Sequence, residues 1–464
     1  MSGTLMVGVS GIRGVVGTDL TPAIVERYAR AFGRWAGQNP RVVVGRDSRQ
    51  SGPEFAQAVA RGLLGAGCAV IDVGLAPTPT IQLAVEYHHA AGGIAITASH
   101  NPIEWNALKF IGPDGIFLDE ADGARVLELA RADGQPVGGR SLVSADTEAI
   151  ERHIDLVLAL DVIDVSRIRE RRFRVALDAV RGAGGAIMPA LLERLGCEVA
   201  GINLETDGRF PRAPEPVPEN LGELGALVQR TRADVGFAVD PDVDRLAIVD
   251  EKGTPIGEDY TLALAVRAAL GSGAQGPVVC NLSTSLVVED AARACGAQVV
   301  RTPVGEAHVA RAIRELRAPI GGEGNGGVIY PRLHAGRDAP LAAAFVLELL
   351  ARAPTPVSGL IAQAPRYTMV KAKVPRGPAL GPVYDALKLG FPDAVLDERD
   401  GLRLAWPGRW LHVRPSNTEP IVRLIAEAPR AEDARDLIEQ ARRLVVEPDR
   451  TRNPSPPRLP GSPN

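Results

Sequence analysis

Apolar and polar positions alternate along this chain so that one unit recurs three times. In the first copy, Val42-Val43-Val44 is an apolar run that predicts a buried strand, and Gly45-Arg46-Asp47-Ser48-Arg49 predicts a loop. Pro53 to Leu64 reads as a helix stopped at Gly65-Ala66-Gly67, and Cys68 to Val73 as a second strand. The second copy runs from a strand at Arg174 to Leu177, through a loop at Asp178 to Gly185 and a helix to Leu195, to a strand opening at Cys197. The third has a strand at Val278 to Cys280, a loop at Asn281 to Ser285, a helix to Cys295 and a strand at Gln298 to Val300. Strand, loop, helix, glycine stop and strand make a βαβ unit, with the glycines as helix C-caps.

Later in each copy another apolar strand runs into a polar loop: Thr97 to Pro102 after Gly93-Ile94-Ala95-Ile96, Asp240 to Arg245 after Val235 to Val239, and Glu323 to Gly327. Right-handed crossovers put such loops on the same edge of their sheets, where open α/β sheets bind ligands. Three similar domains facing one cleft would bring the three loops together.

The remaining pattern fills in around these units. Gly8 to Gly14 reads as a glycine-rich loop carrying Arg13, and a helix follows from Pro22 to about Trp35, with Thr21 as N-cap. Phe110 to Phe117 reads as a hairpin on a Pro-Asp-Gly turn, Asp119 to Ala132 as a helix, and Asp133 to Ala145 as a surface connection. From about Tyr367 the pattern changes to strands at Met369 to Val374, Leu402 to Ala405, Trp410 to Val413 and Ile421 to Glu427, with helices near Pro382 to Leu389 and at Ala431 to Val445. That is an α+β module. The expected domains are 1–150, 151–252, 253–366 and 367–448, followed by a Pro-, Ser- and Arg-rich tail over 449–464 that reads as disordered.

Composition narrows the functional classes. Hydrophobic residues make up 45% of the 464 and charged ones 23%, as in ordinary globular proteins. A formal net charge of -4 gives no reason to expect nucleic acid or an anionic membrane as partner. No charged start followed by an apolar block marks a signal peptide, and no run is long enough to cross a bilayer, so a cytoplasmic location is expected. The four cysteines, Cys68, Cys197, Cys280 and Cys295, form no C-x-x-C pair and read as small buried residues.

Asp240-Pro-Asp242-Val-Asp244-Arg245 carries the strongest chemical signal. Three alternating carboxylates on one loop repel one another unless a hard divalent cation relieves them. An EF-hand would need glycine where Arg245 stands, and Leu246 to Val249 reads as a strand. Three ligands with open positions suit Mg2+, which keeps waters or takes phosphate oxygens. Solvated turn carboxylates are the plainer alternative.

Ser99 lacks the G-x-S-x-G elbow of an acyl-transfer nucleophile, since Ala98 and His100 flank it. As a phosphoryl acceptor it would need a cation to offset phosphoserine, which the Asp loop could hold; as an ordinary loop serine it would cap a backbone N–H. Arg414-Pro-Ser416-Asn417-Thr418-Glu419-Pro offers a guanidinium, hydroxyls and turn N–H groups suited to a phosphate dianion, with Arg423 in the next strand as a second cation; it would equally make a plain turn. Gly321 to Gly327 places Glu323 and Asn325 on a bare backbone, suited to sugar hydroxyls or to a flexible turn. Gly182-Ala183-Gly184 fails the dinucleotide fingerprint at Ile187, and no Walker A motif occurs.

The loops TASHNP, DPDVDR, GGEGNGG and RPSNTEP, in this order and spacing, resemble those of the α-D-phosphohexomutase family over nearly the whole chain to about Val446. The resemblance implies an α/β fold of three similar domains with mixed sheets plus a C-terminal α+β domain, four in all around a central cleft. It implies an enzyme, an intramolecular phosphotransferase of the isomerase class. It implies that Ser99 is the phosphorylated serine, that Asp240, Asp242, Asp244 and the Ser99 phosphate hold Mg2+, and that Arg13 and Arg245 are active-site cations. His100 and Lys109 resemble residues that assist proton transfer and phosphate handling. Glu323 and Asn325 resemble sugar-hydroxyl binders, and Arg414, Ser416, Asn417 and Thr418 the distal phosphate site. Many members carry histidine where Gly327 stands.

VSGIRGVVG, TPVGEAHV and GGEGNGGVIYP look like archaeal-type phosphoglucosamine mutases. The expected reaction interconverts hexosamine 6-phosphate and 1-phosphate through a phosphoserine enzyme and a 1,6-bisphosphate. Mannose or glucose phosphates are the alternative substrates. A Mg2+ sugar phosphatase and a non-catalytic sugar-phosphate binder are more distant readings. The expected partner is a small phosphosugar, with no nucleic acid or membrane, in a monomer or homodimer.

Overall fold

The structure, a computed structural model, describes residues 5–8, 11–38, 40–132, 142–352, 354–375, 379–416 and 421–446. The chain divides into two compact units, Met1–Ala364 and Pro365–Asn464.

The first unit holds three sheets. The first contains β1 (Met6–Gly8), β2 (Gly11–Val15), β3 (Arg41–Arg46), β4 (Ala69–Leu75), β5 (Gly92–Ile96), β6 (Trp105–Ile111) and β7 (Leu142–Ala145), in the order β1-β2-β6-β5-β3-β4-β7. The second contains β8 (Arg174–Asp178), β9 (Glu198–Ile202), β10 (Val235–Val239) and β11 (Leu246–Val249), ordered β11-β10-β8-β9. The third contains β12 (Val278–Asn281), β13 (Val299–Thr302), β14 (Ile320–Glu323) and β15 (Gly327–Ile329), ordered β13-β12-β14-β15.

The repeat is deeper than the βαβ unit alone. In each copy of the repeat, which opens at β3, β8 and β12, the first strand pairs in parallel with both the second and the third, and the third turns back into an antiparallel fourth. The loops read as ligand-binding all leave the third strand: β5, β10 and β14. These central strands are wholly buried, which is why β5 and β10 read as unbroken apolar runs rather than as an alternation. Within the first domain, helices Pro22–Trp35 and Gly52–Gly65 pack so closely that a Cβ at Gly62 would sit 2.3 Å from the Glu26 carbonyl oxygen. The first of these helices begins as its sequence predicts, with the Thr21 side chain accepting from Ile24 N.

Several expectations change. Gly11 to Gly14 is not loop but part of β2, antiparallel to β6; a Cβ at Gly11 would meet the Leu108 carbonyl oxygen at 1.9 Å, so glycine serves close strand approach. The end of the predicted surface connection forms β7, parallel to β4 at the sheet edge. The hairpin over Phe110 to Phe117 reduces to a turn closed by one bridge, Ile111 to Phe117. Cys68, Cys197 and Cys280 are buried, but Cys295, at the end of a surface helix, is exposed.

The second unit is one antiparallel sheet of β16 (Thr368–Pro375), β17 (Val395–Asp397), β18 (Leu402–Trp406), β19 (Arg409–Pro415) and β20 (Ile421–Ala428), ordered β16-β20-β19-β18-β17. Helices Gly381–Gly390 and Ala431–Val446 pack on it over Leu387, Leu404, Leu411, Leu424 and Ala441. The short edge strand β17 has no counterpart in the sequence reading. The tail over 449–464 lies outside the described residues.

Candidate active site

In the first unit the Ser99 and Asp loops meet. Ser99 Oγ donates to Asp240 Oδ2 at 2.8 Å and lies 3.3 Å from His100 Nδ1. Ser99 is only 3% exposed and has φ of 48°, a left-handed conformation that a non-glycine residue holds only when its surroundings impose it. The imposing group is Arg49. Its guanidinium, fully buried, donates to the carbonyl oxygens of Ser99 (2.7 Å), Asn101 (2.6 Å), Pro102 (2.7 Å) and Trp105 (2.9 Å), and to Asp47 Oδ2 (3.1 Å). Thr97 completes the frame by donating to Asp47 Oδ2 and accepting from Ser99 N.

The Asp loop is strained in the same way: Val243, β-branched, has φ of 62°. Its backbone is held by Val243 N donating to Asp240 O, Ala339 N to Val243 O and Thr78 N to Asp242 O. Asp240 is then engaged at both oxygens, Oδ2 by Ser99 Oγ, while Asp242 and Asp244 accept hydrogen bonds at one oxygen each. Asp240 Oδ1 accepts from Asp244 N and Arg245 N. Asp242 Oδ2 accepts from Lys109 Nζ (2.6 Å) and Thr78 Oγ1 (2.7 Å). Asp244 Oδ2 accepts from Arg337 (2.5 Å), with Lys109 Nζ at 3.7 Å. Asp242 Oδ1 and Asp244 Oδ1 are buried with no hydrogen-bond partner among the described residues, although Arg245 Nε stands 3.8 Å from Asp244 Oδ1. The three residues can present ligand oxygens within 4.8 Å of one another, the one such group among the described residues. Two orphaned anionic oxygens beside Asp240 Oδ2 and the Ser99 hydroxyl form an all-oxygen donor set that fits a hard divalent cation.

The electrostatics follow. Burial, then the charges of Asp244 and Asp242, push the Asp240 carboxyl well up. Burial opposes ionisation of Asp242 too, but Lys109 and the hydrogen bonds on it hold that carboxyl far below its usual range. Lys109, on β6, stays protonated because Asp242 and Asp244 outweigh its burial. His100 is driven well below an ordinary histidine by Arg245, by burial and by Arg13, so it is neutral. Arg13, on β2, donates to Asn101 Oδ1 at 2.7 Å; Arg245 donates to Glu215 Oε1 at 3.3 Å.

The sugar loop joins through Glu323. Its Oε1 accepts from Asn281 Nδ2 (2.8 Å) and Gly305 N (3.1 Å), and its Oε2 from Arg337 (2.7 Å). Asn325 Oδ1 accepts from Gly327 N, and Gly326 O from Leu246 N at the end of the Asp loop.

In the second unit Arg414 pairs with Asp400 at 3.0 Å and Ser416 N donates to Ile421 O. Asn417 and Thr418 lie outside the described residues. Arg414 on β19 stands opposite Arg423 on β20, and Arg423 opposite Lys373 on β16. The register thus lines up three cations across the sheet, with Asp400 paired to Arg414 at one end of the row. Sequence reasoning missed Lys373, because only strand register brings it to the row. It also missed Arg49, Thr78 and Arg337. Arg46 to Arg49 stood out as a charged loop after a buried strand, a signal that could have found Arg49; Arg337 has no such marker.

Family models for phosphoglucomutase/phosphomannomutase match four successive stretches: alpha/beta/alpha domain I over residues 4–136, domain II over 151–253, domain III over 257–367 and the C-terminal domain over 369–444. The chain belongs to the α-D-phosphohexomutase family. Members are phosphotransferase enzymes of the isomerase class that act on phosphosugars. Among phosphohexomutases, the chain is 39% identical to a "Phosphoglucomutase/phosphomannomutase" of Thermococcus kodakarensis, over 95% of this chain and 98% of the relative. It is 38% identical to a "Probable phosphoglucosamine mutase" of Methanopyrus kandleri, with the same coverage. A crystal structure of a family protein from Burkholderia thailandensis superposes with a TM-score of 0.84 at 28% identity, over 96% of this chain and 97% of that one. As in the expected fold, three α/β domains with mixed sheets precede a C-terminal domain, and no helix among the described residues is long and apolar enough to cross a membrane.

Proposed function

We propose that this phosphohexomutase interconverts hexosamine 6-phosphate and 1-phosphate, with Ser99 as the phosphorylated residue and a 1,6-bisphosphate intermediate. The observation that carries the reading is the 2.8 Å contact of Ser99 Oγ with Asp240 beside two carboxylate oxygens that accept no hydrogen bond among the described residues. Asp240, Asp242 and Asp244 would hold Mg2+, which when bound supplies charge neutralisation at the phosphoryl group.

In the forward half, the bond from phosphorus to Ser99 Oγ breaks and one to the sugar O1 or O6 forms. The sugar hydroxyl's proton must leave, and neutral His100 is the nearby group able to take it. His100, whose Nδ1 lies 3.3 Å from Ser99 Oγ, passes that proton to the departing Ser99 oxygen, and in the return half it takes the proton back from Ser99 Oγ and gives it to the departing sugar oxygen. Lys109, Arg13 and Arg245 offset charge on the transferring group, so catalysis is largely positioning and electrostatics. Glu323, with one oxygen doubly engaged and the other bonded to Arg337, keeps acceptor capacity for a sugar hydroxyl at Oε2. The row Lys373, Arg423 and Arg414, with Ser416, Asn417 and Thr418, would bind the phosphate that is not reacting. On this reading the four domains are those bounded at 150, 252, 366 and 448.

Ser99→Ala should abolish both turnover and labelling of the chain by the bisphosphate. Near-wild-type activity would reject the role. Comparing kcat/KM for glucosamine, glucose and mannose phosphates decides the sugar. The 39% identical Thermococcus relative bears a glucose/mannose name, so preference for those sugars is the second reading.

A further inference from the structure

Arg337 faces three carboxylates, one of them in the trio, and no catalytic step assigns it a task. Its side chain is 8% exposed. One nitrogen donates to Asp244 Oδ2 at 2.5 Å and another to Glu323 Oε2 at 2.7 Å, while Nε lies 3.1 Å from Glu306 Oε2. It therefore spans the Asp loop of the second domain and the sugar loop of the third. Burial disfavours its charge, but Asp244, Glu306 and Glu323 together hold it firmly protonated.

Its own segment is fixed. Arg337 N donates to Glu306 Oε1 at 3.2 Å. The next residue, Asp338, accepts from Leu341 N (2.7 Å) and bonds His153 Nε2 (2.8 Å) and His334 Nε2 (3.0 Å). A fork of this kind, with two carboxylates on separate nitrogens, is what a planar guanidinium offers and an ammonium does not.

The space for Arg337 comes from Gly327. A Cβ there would lie 2.2 Å from Arg337 Cδ and 2.9 Å from Cγ. Gly327 is in β15, in a backbone conformation open to alanine, so the side chain of Arg337 is the obstacle.

We propose that Arg337 is a positioning residue that locks the metal-binding loop to the sugar-binding loop, and that position 327 is glycine in this chain to leave Arg337 its place. By taking Asp244 Oδ2 it leaves Oδ1 to the trio; by taking Glu323 Oε2 it sets the sugar-facing carboxylate in the same frame. The inference rests on the reading of the trio as a metal site.

The test is calorimetric titration of Mg2+ into the full chain without substrate, for the wild type, Arg337→Ala, Arg337→Lys, Gly327→Ala and the double variant. Groups that orient metal ligands typically change affinity about 10- to 100-fold, and Arg337→Ala should weaken Mg2+ by that factor, with Arg337→Lys recovering part. Gly327→Ala should weaken Mg2+ while Arg337 is present and add nothing once Arg337 is alanine. Unchanged Mg2+ affinity in Arg337→Ala, or an equal effect of Gly327→Ala in both backgrounds, overturns the proposal. Wild type that binds no Mg2+ overturns the metal site itself, and this inference with it. If Arg337→Ala fails to fold, Gly327→Ala against Arg337→Lys still decides: normal Mg2+ affinity in Gly327→Ala overturns the coupling.

Discussion

Replacing Arg49 by methionine removes the cation that shapes the Ser99 loop while keeping a side chain of similar reach. Four carbonyl oxygens and Asp47 Oδ2 lose the guanidinium, though Asp47 Oδ2 keeps the Thr97 hydroxyl and Pro102 O keeps Trp105 N. Hydrogen bonds to a charged donor contribute about 1.5–3 kcal/mol each, so the four carbonyls alone would sum to roughly 6–12 kcal/mol. Water entering the vacated space re-satisfies a share of them. Asp47, whose carboxyl burial already pushes up despite Arg49, takes up a proton rather than remaining a bare charge. The expected loss is therefore about 3–5 kcal/mol, that of breaking a buried pair. The Phe210 ring, 5.0 Å from the guanidinium, also loses a cation–π contact that joins the first domain to the second. Because a chain of several domains need not unfold in one step, native-state hydrogen exchange is the suitable assay. Protection of the amides at 97–101 should fall by the stated amount, and phosphorylation of Ser99 with it. Protection within 1 kcal/mol of wild type, or normal phosphorylation after loss of protection, would refute the argument that Arg49 imposes the Ser99 conformation.

Other outcomes follow from the same network. Asp240 binds its proton more tightly in the folded chain than in the unfolded one, so its contribution to the stability of metal-free protein should fall as pH rises from about 4 through the folded value. Asp242, held low, acts in the opposite direction only below that range. His100 and His412, held low, act the other way between pH 5 and pH 8, so the Asp240 effect is read by difference: in EDTA, wild type should lose more melting temperature, or gain less, from pH 5 to pH 8 than Asp240→Asn does, Mg2+ should shrink that gap, and equal pH dependence of the two proteins would contradict this. His100 is kept neutral chiefly by Arg245, so the acid limb of kcat/KM should lie below about 6.5, the ordinary histidine value. Arg245→Gln should move that limb upward, and an unmoved limb would remove His100 as proton acceptor. Asp338→Ala strips the acceptor from His153, His334 and Leu341 N in a buried cluster; orphaned donors cost about 1–3 kcal/mol each, and a melting temperature equal to wild type would show that the cluster is not what holds that loop.

Much of this architecture was already written in local patterns. Wholly buried central strands must be apolar on both faces, so Val42 to Val44 and Val235 to Val239 announced themselves, as did the loops that follow the third strands. Thr21 and Pro22 marked a helix start because capping is a contact among neighbours. The carboxylate trio was legible for a similar reason, since three acids within five residues need a cation wherever the loop lies. Partnership across the chain was not legible. Gly11 looked like loop because a glycine's reason, here the Leu108 carbonyl, lies far away in sequence. Arg49, Lys373 and Arg337 are ordinary surface-type residues in the linear text, and only strand register and the packing of one domain on another make them buried or aligned charges. Composition and spacing determined which chemical groups this protein owns; the tertiary structure alone decided which oxygens are already spent on a neighbour and which remain open for a metal or sugar, because a hydrogen bond between residues a hundred positions apart leaves no trace in either local pattern.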